Sequence, residues 1–154
     1  MKNTIPFLML IFGLIACNSD GLETISLQEH GANIDIKIPA GAEVTSEPIG
    51  YRKQISVKQD KFDIIMLVGD EETRTAAEIK KEKLESVKAL DIFSKVVQED
   101  DNGFIYEINQ GTGKNYDFRY VYVKNGSSHD FRRNFVGDYT LDEVKTMYNA
   151  VRQK

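Results

Sequence analysis

Residues 116–124 read Tyr116-Asp117-Phe118-Arg119-Tyr120-Val121-Tyr122-Val123-Lys124. Alternation puts Tyr116, Phe118, Tyr120 and Tyr122 on one face, the period of a β-strand with one buried side. Asn125-Gly126-Ser127-Ser128 follows. Asn-Gly tolerates the positive φ of a tight turn, so the chain reverses there. Phe131 to Val136 returns it as a second strand. Upstream, Asn109 to Asn115 reads as a Gly-rich loop, Phe104 to Ile108 as a strand and Asp100-Asp101-Asn102-Gly103 as another turn. The whole stretch predicts an antiparallel meander, preceded at Phe93 to Val97 by a short strand or a connection.

Two helices frame the meander. The first runs from the acidic stretch after Gly69 to about Leu90. Acids at its start complement the helix dipole, and Thr75 with Glu78 has the spacing of a capping box. Ala76, Leu84, Val87 and Leu90 make its apolar stripe. The second opens at Thr140-Leu141-Asp142-Glu143, another capping box, and buries Leu141, Val144, Met147, Tyr148 and Val151. Ahead of the first helix, Phe62 to Val68 is nearly all apolar, as a central strand covered on both faces would be. Tyr51 to Val57 alternates, and Lys58-Gln59-Asp60-Lys61 joins the two as a hairpin. Ile34, Ile36 and Ile38 alternate with polar residues until Pro39-Ala40-Gly41 stops the strand, and Thr24 to Gln28 is a weaker strand candidate. Hairpins plus two amphipathic helices predict an α+β fold, an antiparallel sheet packed against a long middle helix and a C-terminal helix.

The chain has 154 residues, 20 Lys and Arg against 24 Asp and Glu, a net charge of −4, and one Cys. That composition excludes a disulfide framework and a Cys-based zinc site. The acidic balance argues against general nucleic-acid binding. Met1-Lys2-Asn3 is a short positive start, and Ile5 to Ala16 is an apolar run too short for a comfortable membrane span. Residues 1–16 thus read as an export signal, 17–23 as an anchor and short polar tether, and 24–154 as one α+β domain. Loss of the signal removes Lys2 and no acid, which moves the net charge from −4 to −5.

The signal ends Leu14-Ile15-Ala16-Cys17. This resembles the lipobox of bacterial lipoproteins. The resemblance implies diacylglyceryl transfer to the Cys17 thiol, cleavage between Ala16 and Cys17, and membrane attachment through the acylated cysteine. Two or three acyl chains, at about 0.8 kcal/mol per buried CH₂, hold a small domain on a bilayer. Asn18, in place of an Asp, resembles the pattern of lipoproteins sent to the outer membrane of Gram-negative bacteria. The mature chain is similar to the PsbP-like superfamily of α-β-α sandwiches, which includes DcrB-like envelope lipoproteins. The residues that carry this are Ile34-Asp35-Ile36-Lys37-Ile38-Pro39-Ala40-Gly41, with the mid-chain helix, meander and closing helix after them. Members of that superfamily mostly bind partners or act as accessory proteins.

Motifs for chemistry are sparse. His30 and His129 have no His or Cys at ligand spacing and read as loop residues, so no metal or other cofactor is expected. Asp100 to Gly103 lacks the alternating oxygen ligands and distal Glu of a calcium loop. Gly111-Thr112-Gly113-Lys114 lacks the Gly-x₄-Gly-Lys-Ser/Thr pattern of a P-loop. Ser127-Ser128-His129 reads as a turn, although a Ser with His129 can still meet in space. The most suggestive pattern is Phe131, Arg133 and Phe135 on one face, beside Tyr120 and Tyr122 on the preceding strand. An Arg between two Phe on an apolar face can reach a carboxylate or phosphate in an aromatic-walled cleft, or snorkel, or pair with an internal acid. These readings lead to a lipid-anchored, non-enzymatic binding or accessory module for an envelope protein, peptide or small amphiphile. The alternatives are a small envelope hydrolase, which a rigid polar cleft around His129 would favour, and a structural spacer without pocket or exposed aromatics.

Overall fold

The computed structural model describes residues 21–111 and 113–153. The export signal and the lipobox, Ala16 and Cys17 included, lie outside the described residues, as does Thr112. The elements run β1 (Leu22–Ser26), β2 (Asp35–Pro39), β3 (Glu43–Ile49), β4 (Arg52–Gln59), β5 (Phe62–Gly69), α1 (Ala76–Lys88), β6 (Phe93–Glu99), β7 (Gly103–Gln110), β8 (Gly113–Lys124), β9 (Ser127–Arg133) and α2 (Leu141–Val151). A single 3₁₀ turn, Gln28–His30, joins β1 to β2.

The fold is mixed α+β. β3 to β9 form one antiparallel sheet in the order β3-β4-β5-β9-β8-β7-β6. Two meanders, β3-β4-β5 and β6-β7-β8-β9, meet where β9 pairs with β5. α1 carries the chain from the end of the first meander to the far edge. β5 is therefore central and buried along nearly its whole length, as its apolar run requires. β1 and β2 make a separate two-stranded ribbon.

The ribbon and α2 cover one face of the sheet. Ile34, Ile36 and Ile38 pack there with Val144, Met147, Tyr148 and Val151 onto Ile55, Ile64, Met66, Phe118, Tyr120 and Phe131. Each such buried side chain contributes about 1.5–3 kcal/mol of transfer free energy. α1 lies on the other face, over β8 and β6. Leu84 and Val87 meet Phe104, Tyr106 and Ile108 in a smaller second cluster. Both capping boxes form, Thr75 with Glu78 and Thr140 with Glu143. On α1 the buried stripe runs through Ile79, Leu84 and Val87, while Leu90 is 45% exposed.

Four other expectations change. β3 has no counterpart in the sequence reading, because nearly all of its residues are exposed and no hydrophobic alternation marks it. Asn109 to Asn115 is not a loop: β7 and β8 continue until Gln110 pairs with Gly113, with Gly111 at φ 64° in the turn. Ser127, Ser128 and His129 belong to β9, since Asn125 (φ 52°) and Gly126 (φ 76°) complete the turn alone. β9 ends at Arg133 instead of Val136, so Phe135 has left the strand.

Candidate functional site

Arg133 is the last residue of β9 and is 2% exposed. Its Nε donates to the Tyr116 carbonyl at 2.7 Å and Nη1 to the Asn134 carbonyl at 2.7 Å. The guanidinium lies 4.8 Å from the centroid of the Tyr139 ring. Asp117 Oδ1 is 3.8 Å from Nε. Tyr116 N donates to the Tyr139 carbonyl at 3.2 Å, and Tyr139 N to Asn115 Oδ1 at 2.8 Å. Arg133 therefore pins the segment between β9 and α2 onto β8.

The other predicted residues do not converge on it as an aromatic-walled cleft. Phe131 is fully buried. Tyr120 is buried against Tyr148 (rings edge-on, 5.8 Å), and its hydroxyl accepts from Gln153 N at 3.0 Å. Phe135 is 59% exposed, because the strand ends before it. Tyr122 is half-buried and stands 6.1 Å from the His129 ring.

Two other places carry the features of a site. The first is on the face of α1. That helix covers β8 and β6, while Thr45, Glu47 and Ile49 on the far side stay exposed and Gln54 and Ser56 half-exposed. Across this face Ile65 pairs with Arg132, and Arg119 stands near enough to repel it. The nearby acids are engaged: Asp130 bridges Lys83 at 2.7 Å and Asp117 bridges Arg119 at 3.6 Å. Arg132 stacks 4.2 Å over the exposed Phe135, and its Nε is buried with no hydrogen-bond partner among the described residues. Burial holds its pKa below the ordinary arginine value, and the neighbouring Arg119 acts the same way. Arg52, at the start of β4, has a buried unpaired Nε as well and stacks 5.5 Å over Tyr51. Tyr51 is 89% exposed and Val136 76%. Arg119 and Arg132 were alternation partners of the residues the sequence reading favoured. The missing signal was which face the helix leaves open.

The second place is a cleft of about 150 Å³ at the opposite end of β9, lined by Gly31, Ala32, Asn33, Val68, Lys124, Asn125, Ser127 and His129. His129 is 2% exposed, and its Nδ1 lies 3.2 Å from the Tyr122 carbonyl. Burial lowers its pKa from the ordinary 6.5. Ser127 Oγ donates to Asp70 Oδ1 at 3.2 Å. His30 ends the 3₁₀ turn directly before Gly31 and is not itself one of the residues that line this cleft. Among the described residues no group of three His, Cys, Asp or Glu side chains converges as metal ligands would. No family model, curated protein or solved structure matches the chain.

Proposed function

We propose that the chain is a lipid-anchored envelope protein, held to the outer membrane through acylated Cys17, with a PsbP-like α-β-α sandwich as its binding module. Its partner is an acidic segment of an envelope protein or peptide, received on the open half of the sheet. The observation that carries this reading is the pair Arg52 and Arg132, two guanidinium groups whose Nε has no hydrogen-bond partner and which form no ion pair among the described residues, beside exposed Tyr51 and Phe135. An arginine stacked on an aromatic ring and lacking a carboxylate is a preorganised donor for one. Arg and aromatic side chains are also the groups that dominate the energetics of protein interfaces. The signal that ends Leu14-Ile15-Ala16-Cys17 supports the anchor.

One experiment tests both parts. The tagged protein is captured from crosslinked native envelopes beside its variants. Cys17→Ser releases the protein from the membrane fraction; a variant that stays bound with unchanged mobility sinks the anchor. Arg52→Ala with Arg132→Ala removes one stoichiometric acidic partner from the capture. A partner retained by the double variant, or none for the anchored protein, sinks the binding surface.

The cleft at His129 favours a second reading, a small envelope hydrolase. A hydrolytic pair needs the serine hydroxyl on the imidazole. Ser127 donates instead to Asp70, so the hydroxyl and the ring are not joined as nucleophile and base. The spacer alternative expects no exposed aromatic residues, which Tyr51 and Phe135 weigh against.

A further inference from the structure

The cleft at His129 has a chemistry of its own, independent of the open sheet face. Lys53, Val68, His129 and Tyr122 are neighbours across four strands, so Lys53 and His129 share one face about 10 Å apart. The turn before β2 closes the top: Lys124 Nζ donates to the Asn33 carbonyl at 3.1 Å, and the Lys53 ammonium lies against Gly31. Neither lysine has a carboxylate partner among the described residues. Asp70 stands at the rim, where it accepts from Ser127 and lines the adjoining recess with Arg52 and Lys53. Positive charge therefore collects here in a chain whose net charge is −4.

The imidazole adds a directional element. The Tyr122 carbonyl can only accept, so Nδ1 carries the hydrogen. In the neutral ring Nε2 is then a bare lone pair, and it has no partner among the described residues. Burial and Lys124 favour that neutral form, while the Tyr122 carbonyl and Asp70 oppose them. A buried side chain thus offers one acceptor to a cleft whose charged lining group is the Lys124 ammonium, with the Lys53 ammonium beside Gly31 in the adjoining recess. A fitting ligand must accept from the lysines and still hold one proton to give. At about 150 Å³ the space is below the roughly 300–1,000 Å³ of sites for drug-sized ligands.

We propose that this cleft binds a phosphate group that retains a proton, either inorganic hydrogen phosphate or the monoester headgroup of a lipid. Lys124 in the cleft, helped by Lys53 from beside Gly31, neutralises the charge, and His129 Nε2 accepts from the P–OH. Sulfate and carboxylates, which hold no proton at neutral pH, meet an unanswered lone pair.

The test uses the full chain in detergent at pH 7.0, titrated with sodium phosphate, sodium sulfate and short-chain phosphatidic acid at matched ionic strength. Heat and the ¹⁵N resonance of His129 Nε2 are followed. Phosphate should bind saturably and move Nε2. Sulfate should bind at least about tenfold more weakly, the scale of one hydrogen bond to a charged group. Lys124→Ala, at an exposed position, should weaken phosphate at least about threefold, and His129→Phe should abolish the preference over sulfate. Tighter binding of phosphatidic acid assigns the site to the headgroup, and tighter binding of phosphate assigns it to the free ion; both uphold the proposal. Equal binding of phosphate and sulfate, or an Nε2 signal unmoved by all three ligands, overturns it.

Discussion

Arg132 and Arg133 are adjacent in β9, yet they belong to different regions of the molecule. Arg133 points to the face that α2 and the β1–β2 ribbon close over, and its guanidinium meets two carbonyls, a ring and a carboxylate. Arg132 points to the face that α1 covers only in part, and it meets one exposed phenylalanine. Two identical side chains on one strand thus become a structural clamp and a free donor. The difference lies in coverage. A guanidinium removed from water must have its donors satisfied, and the closed face supplies acceptors for that purpose. At the open face solvent still reaches the outer nitrogens, so no internal partner is required.

The largest way to break this comparison is Arg133→Ala. It leaves the Tyr116 and Asn134 carbonyls without their donor and Asp117 with Arg119 as its one remaining cation among the described residues. Loss of one partner of a buried ionic cluster costs about 3–5 kcal/mol. Urea unfolding should show that loss of stability. A change below about 1 kcal/mol would mean that Arg133 is no clamp, and the distinction between the two arginines would fail.

Gly103→Ala tests the closed face with a single methyl group. Gly103 opens β7, where a Cβ would stand 2.6 Å from the Tyr148 hydroxyl and 2.7 Å from the Arg119 carbonyl. Tyr148 is anchored in the core, so neither neighbour moves freely. Overpacking of this kind costs about 1–3 kcal/mol, to be read from the shift of the urea midpoint. No shift would show that α2 can slide on the sheet.

What was legible in the sequence follows the range of the interactions. Both helix starts were readable because Thr75 with Glu78 and Thr140 with Glu143 are three-residue patterns. β5 was readable because burial on both faces leaves a continuous apolar run. β3 was not, since an edge strand exposed along most of its length leaves no alternation to see. His129 was read as a turn residue because Ser127 and Ser128 look like turn residues, whereas Asn125 and Gly126 supply both positive φ angles needed. Arg133 drew attention correctly as a charge on an apolar face, but its acceptors come from the distant Tyr116 and from the segment after the strand. No local signal in the sequence distinguishes Arg132 from an ordinary solvated charge. Its state depends on how far α1 reaches across the sheet, a tertiary fact.

Arg132→Ala is the smallest expected effect on stability and the sharpest test of the contrast. The side chain makes no hydrogen bond and no ion pair among the described residues, and its stacking on Phe135 is at an exposed ring. Exposed cation–π contacts contribute about 0.5–1 kcal/mol. Against this, removal of the guanidinium relieves its repulsion with Arg119 and the desolvation of a half-buried charge. The two contributions oppose each other, so urea unfolding should place the variant within about 0.5 kcal/mol of the parent. A group that does not stabilise the fold is free to act on something outside it. If Arg132→Ala instead destabilises as much as Arg133→Ala, the open face holds the fold together no less than the closed one does. The binding surface would then have to be sought elsewhere.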